Sequence, residues 1–222
     1  MNGIKAVAFD IDGTLYPSWR LWIRMPVYFL KHLSFYKHFN RVRKRLHRTA
    51  VLPDLFEYQA RILSEEAEIP VEEARDKIKT ICYDGLKPFF RKIKPYHHAR
   101  EAILAMKKAG LKIAILSDFP PEQKEDIWGI KELCDVCIGS EESGALKPSI
   151  YPFGILAQKL NLKREEILYV GNSIRYDVDG AKNAGMKSAY ILSGFRRLFN
   201  LKYDGADFSF KTYRQLEHFV LQ

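Results

Sequence analysis

No apolar run in this 222-residue chain approaches the roughly 20 residues that span a bilayer. None sits at the N-terminus as the apolar segment of a signal peptide would, because the chain passes at once into a short strand-like run. Both absences predict a protein without a membrane span or leader. Cysteine is scarce as well. Of three, Cys134 and Cys137 form a lone C-x-x-C with no second pair and no histidine cluster nearby, which argues against a zinc site. Their expected place is a short buried strand over Val136 to Ile138, where cysteine behaves as a small hydrophobe, in a reducing, cytoplasmic compartment. Internal repeats and low-complexity segments are missing too. Acid is missing locally: Arg20 to Arg48 holds nine Lys/Arg and no Asp or Glu.

What is present is the apolar content of an ordinary globular protein, 47% of residues, enough to bury a sizeable core. Ile4 to Phe9 is an apolar run that stops abruptly at turn chemistry, as buried parallel strands do. Leu111 to Leu116, Val136 to Ile138, Ile167 to Val170 and Ser188 to Leu192 read as four more strands. Helical patterns lie over Glu101 to Ala109, Ser149 to Leu160 and Asp177 to Ala184, the last closed by Gly185. Pro120-Pro121 is read as opening another helix. This alternation predicts βαβ units, a parallel sheet flanked by helices and hence an α/β fold. One section departs from it. From Leu15 to about Pro95 the pattern is helical throughout, including Asp54 to Ala67 and Val71 to Tyr83. Charge marks the same boundary: residues 16–95 hold 17 Lys/Arg against 9 Asp/Glu, a net of +8 out of +9 for the chain. The expected organisation is a core of residues 1–15 and 96–222 with an inserted helical lobe of residues 16–95.

Residues 7–15 read Val-Ala-Phe-Asp-Ile-Asp-Gly-Thr-Leu. Asp10 and Asp12 thus stand at the carboxyl end of the first strand, the edge at which open α/β sheets bind ligands. A period of two points them the same way, and like charges so placed need a cation or a shared proton between them. The plainer alternative is a helix cap or an Asx-turn. Ser117 ends the second strand, where its hydroxyl and nearby N–H groups can donate to an oxyanion or simply cap the turn. Lys147, in Gly-Ala-Leu-Lys-Pro-Ser, precedes a helix between the third and fourth strands, a place that suits a fixed role better than an ordinary surface lysine. The stretch Val170-Gly-Asn-Ser-Ile-Arg-Tyr-Asp177 brings Asn172 and Asp177 to a neighbouring strand tip as hard oxygen ligands suited to Mg²⁺.

Taken in order, these pieces resemble the four motifs of the haloacid dehalogenase superfamily: Asp10-Ile-Asp12-Gly-Thr, Ser117, Lys147, and Gly171-Asn-Ser with Asp177. The match covers residues 1–15 and about 96–195. The resemblance implies a Rossmann-like core with an α-helical cap of the C1 type inserted after the first motif. It implies Mg²⁺-dependent hydrolysis of a small phosphate ester, with Asp10 as nucleophile and Asp12 as general acid and base. Ser117, Lys147, Gly13 and Asp118 would serve the phosphoryl group. Asp10, Asp12, Asn172 and, in an outer shell, Asp177 would serve the metal. An acid at position 12 argues against dehalogenation, since true dehalogenases lack it. Asn172 departs from the commoner Asp and weakens the expected hold on the metal. Asp118 stands where Asn is frequent, either adding charge near the site or capping a helix at Pro121. Alternatives within the resemblance are a phosphoryl mutase, a phosphonate hydrolase, or a non-catalytic module at a membrane or partner.

The basic stretch from Arg20 to Arg48 is interleaved with Trp19, Trp22, Tyr28, Phe29, Phe35, Tyr36 and Phe39. It reads in three ways: an amphipathic helical pair packed within the cap, an electropositive mouth for anionic esters, or a surface resting weakly on anionic membrane. The run from Asn40 to Arg48 comes with no nucleic-acid recognition module, so no specific nucleic acid is expected. His97-His98 opens the helix that returns to the core.

Overall fold

The computed structural model describes residues 3–222. Six strands form one parallel sheet: β1 (Ala6–Phe9), β2 (Lys112–Ser117), β3 (Val136–Gly139), β4 (Ile167–Gly171), β5 (Lys187–Ile191) and β6 (Phe208–Phe210), in the order β3-β2-β1-β4-β5-β6. The order reverses between β1 and β4, the switch point at which such sheets bind ligands. Five of the strands fall within about a residue or two of the sequence expectation. The sixth was not expected.

Seven α-helices separate β1 from β2: α1 (Trp19–Trp22), α2 (Pro26–Lys31), α3 (Leu33–Leu46), α4 (Leu55–Ala67), α5 (Val71–Lys77), which runs on as a π-helical turn over Ile78–Asp84, α6 (Lys87–Phe90) and α7 (Ala99–Lys108), which returns to the sheet. Beyond it come α8 (Ile150–Leu160), α9 (Asp179–Asn183), α10 (Gly194–Leu198) and α11 (Tyr213–Leu221). Their ends follow local chemistry. The Asp54 side chain accepts from Glu57 N at 2.8 Å to cap α4, and Thr212 with Gln215 forms a capping box on α11.

Alternation along β1 sorts the layers. Val7 and Phe9 pack with α7 and α11 through Ile103, Met106, Tyr213 and Leu216, while Ala6 and Ala8 pack with α8 through Phe153 and Leu156. A separate apolar cluster joins α3, α4 and α5 through Phe39, Val42, Leu46, Leu63 and Ala74.

Three expectations need correction. Residues 16–95 are not helical throughout, since residues 47–54 connect α3 to α4 without regular structure. The helix read over Asp177 to Ala184 begins as a π-helical turn, Ile174–Val178, and only then becomes α9. Pro120-Pro121 opens no α-helix. A single 3₁₀ turn, Pro121–Lys124, gives way to turns in which Glu125, Ile127 and Trp128 hold φ of +55°, +52° and +55°. That backbone is foreign to a right-handed helix and costly for a β-branched residue such as Ile127.

Candidate active site

The switch point joins two strand tips directly: Asp10 N donates to Val170 O at 3.0 Å. Asp10 is buried there. Its Oδ1 accepts from Lys147 Nζ at 2.9 Å and its Oδ2 from Thr14 Oγ1 at 2.9 Å. The Lys147 ammonium has three donors, and all are used. The others reach Asp177 Oδ1 at 2.7 Å and the Tyr169 hydroxyl at 3.0 Å, and that hydroxyl in turn donates to Leu116 O. Burial pushes the Asp10 carboxyl up to about 7 against the pull of Lys147. Burial also works against the Lys147 charge, but Asp10 and Asp177 together hold its pKa well above the ordinary lysine value.

Asp12 does not share this arrangement. β1 ends at Phe9, so the two-residue period that would align Asp10 with Asp12 has already lapsed. Asp12 Oδ1 accepts from the Tyr16 hydroxyl at 2.6 Å and Oδ2 from Lys124 Nζ at 2.8 Å. The two carboxylates are therefore not held by a common cation or proton; each has its own buried lysine. Lys124 and Tyr16 were not anticipated from sequence. Lys124 leads into the strained turn at 125–129, and Trp128 from that turn packs on the Tyr16 ring at 5.4 Å between centroids.

Gly13 takes φ +89°, and a Cβ there would meet Asn172 Nδ2 at 2.4 Å and Ser18 Oγ at 2.6 Å. Glycine is thus required by the left-handed backbone and by the close approach of the turn after β1 to the Asn172 loop. Gly13→Ala is expected to destabilise by about 1–3 kcal/mol, visible as a lower thermal midpoint. Asn172 Oδ1 and Asp10 Oδ2 face the same Thr14 hydroxyl, at 3.2 and 2.9 Å. Asp177 Oδ2 accepts from Asn172 N at 3.1 Å and Ser173 N at 2.9 Å, so Asp177 braces the loop from behind. Among the described residues no three His, Cys, Asp or Glu side chains converge. The available donors are one carboxylate and one amide oxygen converging on a hydroxyl, a hard-oxygen set that fits a Mg²⁺-like ion supplemented by water.

Ser117 ends β2, fully buried, and its Oγ has no hydrogen-bond partner among the described residues. Of the two readings of Asp118, the helix cap at Pro121 is the one the structure does not show. Its carboxylate accepts from Lys147 N at 3.2 Å, and no side chain caps the turn at Pro121. A carboxylate so placed orders the lysine loop and adds negative charge beside Asp10 and Asp12, and it caps no helix.

Asp10, Asp12, Asp118, Phe119, Lys147 and Asn172 line a cavity of about 140 Å³. Its surroundings include α3, whose role the basic composition hid. Phe35, Tyr36, Phe39, Val42 and Leu46 are buried, and so is Arg43. Arg43 ion-pairs with Glu141, donates to Gln59 Oε1 at 3.0 Å and to Asp118 O at 3.3 Å, and lies 4.3 Å from the Phe119 ring centre. Tyr83 closes the network by donating to Glu141. His47, just past α3, hydrogen-bonds through Nδ1 to Lys147 O at 2.6 Å and stacks on Tyr176 at 4.3 Å. Burial holds its pKa below 6.5. In the unfolded chain the imidazole protonates first, so this group's stability contribution is complete above pH 6.5 and is lost as pH falls through and below that value. Replacing His47 with Gln is expected to flatten the acid limb of a plot of thermal midpoint against pH.

A family model of haloacid dehalogenase-like hydrolases matches residues 4–185. The chain belongs to the haloacid dehalogenase-like hydrolases. Within that family it is a phosphatase, as are its relatives. The glyceraldehyde 3-phosphate phosphatase of Methanopyrus kandleri is 30% identical over 206 residues, covering 86% of this chain and 85% of that one. Pyrophosphatase PpaX of Halalkalibacterium halodurans is 28% identical over 191 residues, covering 85% and 83%. Among solved structures, a HAD phosphatase from Thermococcus onnurineus shares the fold with a TM-score of 0.66 at 22% identity over 98% of both chains. No helix of the described hydrolase is long and apolar enough to cross a membrane.

Proposed function

We propose that the chain is a Mg²⁺-dependent phosphomonoester hydrolase acting on a small phosphorylated metabolite through an aspartyl-phosphate on Asp10, with residues 16–95 as its helical cap. The observation that carries this reading is the small cavity bordered by Asp10, Asp12 and Lys147, with each aspartate fixed by a different buried lysine. Two carboxylates with separate partners can take separate roles. An Asp10 oxygen attacks phosphorus; the new P–O bond forms as the bond to the alcohol oxygen breaks, and Asp12 gives that oxygen its proton. Water then attacks the same phosphorus and loses a proton to Asp12. The bond to Asp10 breaks, and phosphate leaves. Lys147 keeps Asp10 oriented throughout, and Tyr16 and Lys124 hold Asp12 at the rim. The Ser117 hydroxyl, without a partner among the described residues, would donate to a phosphoryl oxygen. Asp10, the Asp12 carbonyl and Asn172 would hold Mg²⁺, braced by Asp177. The bound ion would offset the repulsion between Asp10 and the incoming phosphate.

The test is turnover of aryl and alkyl phosphates with and without Mg²⁺, in the natural protein and in Asp12→Asn. Loss of the general acid is expected to slow hydrolysis by about 10²–10⁴-fold, more for alkyl than for aryl leaving groups. Equal turnover without divalent metal, or an equal loss on both leaving groups, counts against the scheme.

A further inference from the structure

Two short segments carry large apolar side chains into solvent. Along α1, α2 and the start of α3 these are Trp19, Trp22, Ile23, Val27, Leu30 and Leu33, with Val27 81% and Leu30 67% exposed. They are exposed on three successive helical segments. On α10 and just after it, Phe195, Leu198 and Phe199 are equally uncovered, Leu198 to 75%. None of these side chains lines the Asp10 cavity. The two segments are neighbours in space: Trp19 and Arg20 share the walls of a second cavity, about 580 Å³, with Gly194 and Arg197, and that cavity extends to Gly13 and Asn172.

Charge decides what fits here. Arg20, Arg24 and Lys31 accompany the first segment and Arg196, Arg197 and Lys202 the second, with no acid within residues 16–53 or 180–203. Exposed Trp and Phe beside Arg and Lys match the interface of a bilayer with anionic headgroups. A symmetric contact with a second copy would set these cations against themselves, with no carboxylate in either segment to answer them. The run at Asn40 to Arg48 is a poorer candidate, since α3 turns its apolar face inward and buries Arg43.

We propose that α1, α2 and α10 form one surface by which the protein docks on anionic lipid bilayers, with the cavity beside Asn172 opening at the headgroup level. Neither segment is long enough to span, so the docking is interfacial and reversible.

The experiment is co-sedimentation of the full chain with vesicles of phosphatidylcholine alone and of phosphatidylcholine mixed with phosphatidylserine, at low and high salt. Binding to the mixed vesicles that salt weakens is the expected result. Each cation removed lowers partitioning by about fivefold, so Arg24→Gln with Lys31→Gln is expected to cost about 25-fold. A second variant, Trp22→Ser with Leu30→Ser and Leu198→Ser, leaves the charges alone and is expected to cost at least as much. All five positions are exposed, so the thermal midpoint of each variant is expected to match the natural protein. Absent binding to anionic vesicles overturns the proposal, as does undiminished binding by both variants. A dimer that the apolar variant dissociates, without vesicle binding, assigns the surface to a second copy and overturns it too.

Discussion

Asp10→Asn is expected to lose turnover by at least about 10⁴-fold, the scale on which one member of a cooperating catalytic set is missed, while its thermal midpoint stays level or rises. The two halves of this expectation have one cause. Asp10 is buried at the sheet edge, and burial pushes its carboxyl up to about 7, so keeping it ionised opposes folding at neutral pH. Asn keeps the shape, and its amide oxygen can still accept from Lys147 while its NH2 donates to the Thr14 hydroxyl oxygen, but it cannot form the acyl-phosphate bond. Lys147 keeps Asp177 as its ionic partner at 2.7 Å, so no orphaned cation results. Steady-state hydrolysis of an aryl phosphate beside thermal unfolding separates the effects. Retained turnover would remove Asp10 from the nucleophile's role; lost turnover with a collapsed midpoint would make its role structural. Active sites that trade stability for chemistry predict the first loss without the second.

The parallel core and its strand-tip acids were legible in the sequence for a simple reason. A strand covered on both faces must be apolar along its length, and the abrupt stop at Asp10 marks where cover ends. β6 gave no such signal: three residues, Phe208–Phe210, are too few to display a period. The site was half legible. Asp10, Asn172 and Asp177 announce themselves by position beside a strand end, whereas Lys124, Tyr16 and Arg43 acquire roles only through tertiary neighbours. Lys124 is one of 36 Lys/Arg and follows a proline pair that reads as a helix start. Nothing local distinguishes it until the turn at Glu125 to Gly129 aims it at Asp12. Arg43 lies in a run of cations that composition assigns to solvent, yet its period places it with Phe39, Val42 and Leu46 on the buried face of α3. A check of helical phase along that run, ahead of its charge, would have set it apart from Arg41 and Arg45.

Lys147→Met carries the second large effect, and here stability and activity are expected to fall together. The side chain is 2% exposed and its ammonium serves Asp10, Asp177 and the Tyr169 hydroxyl at once. Methionine matches its length but donates nothing. Asp10 then keeps only Thr14, and Asp177 only the two backbone amides of its loop. Removing one partner from a buried ionic cluster costs about 3–5 kcal/mol, because the charges left behind stay out of water. In a chain of this length each kcal/mol lowers the midpoint by roughly 2–4 °C, so a fall of about 10 °C is expected. Its pH dependence identifies the cause. Without Lys147 nothing offsets the burial that already raises the Asp10 carboxyl, so it takes a proton more readily than in the unfolded chain and the deficit is expected to shrink as pH falls. The double variant Lys147→Met with Asp177→Asn removes one of the uncompensated charges and is expected to recover part of the midpoint. It restores no turnover, because Asp10 still lacks the cation that orients it. A midpoint unchanged by Lys147→Met, or a double variant less stable than the single one, would show that packing around the lysine stem, not its charge, holds the strand tips together.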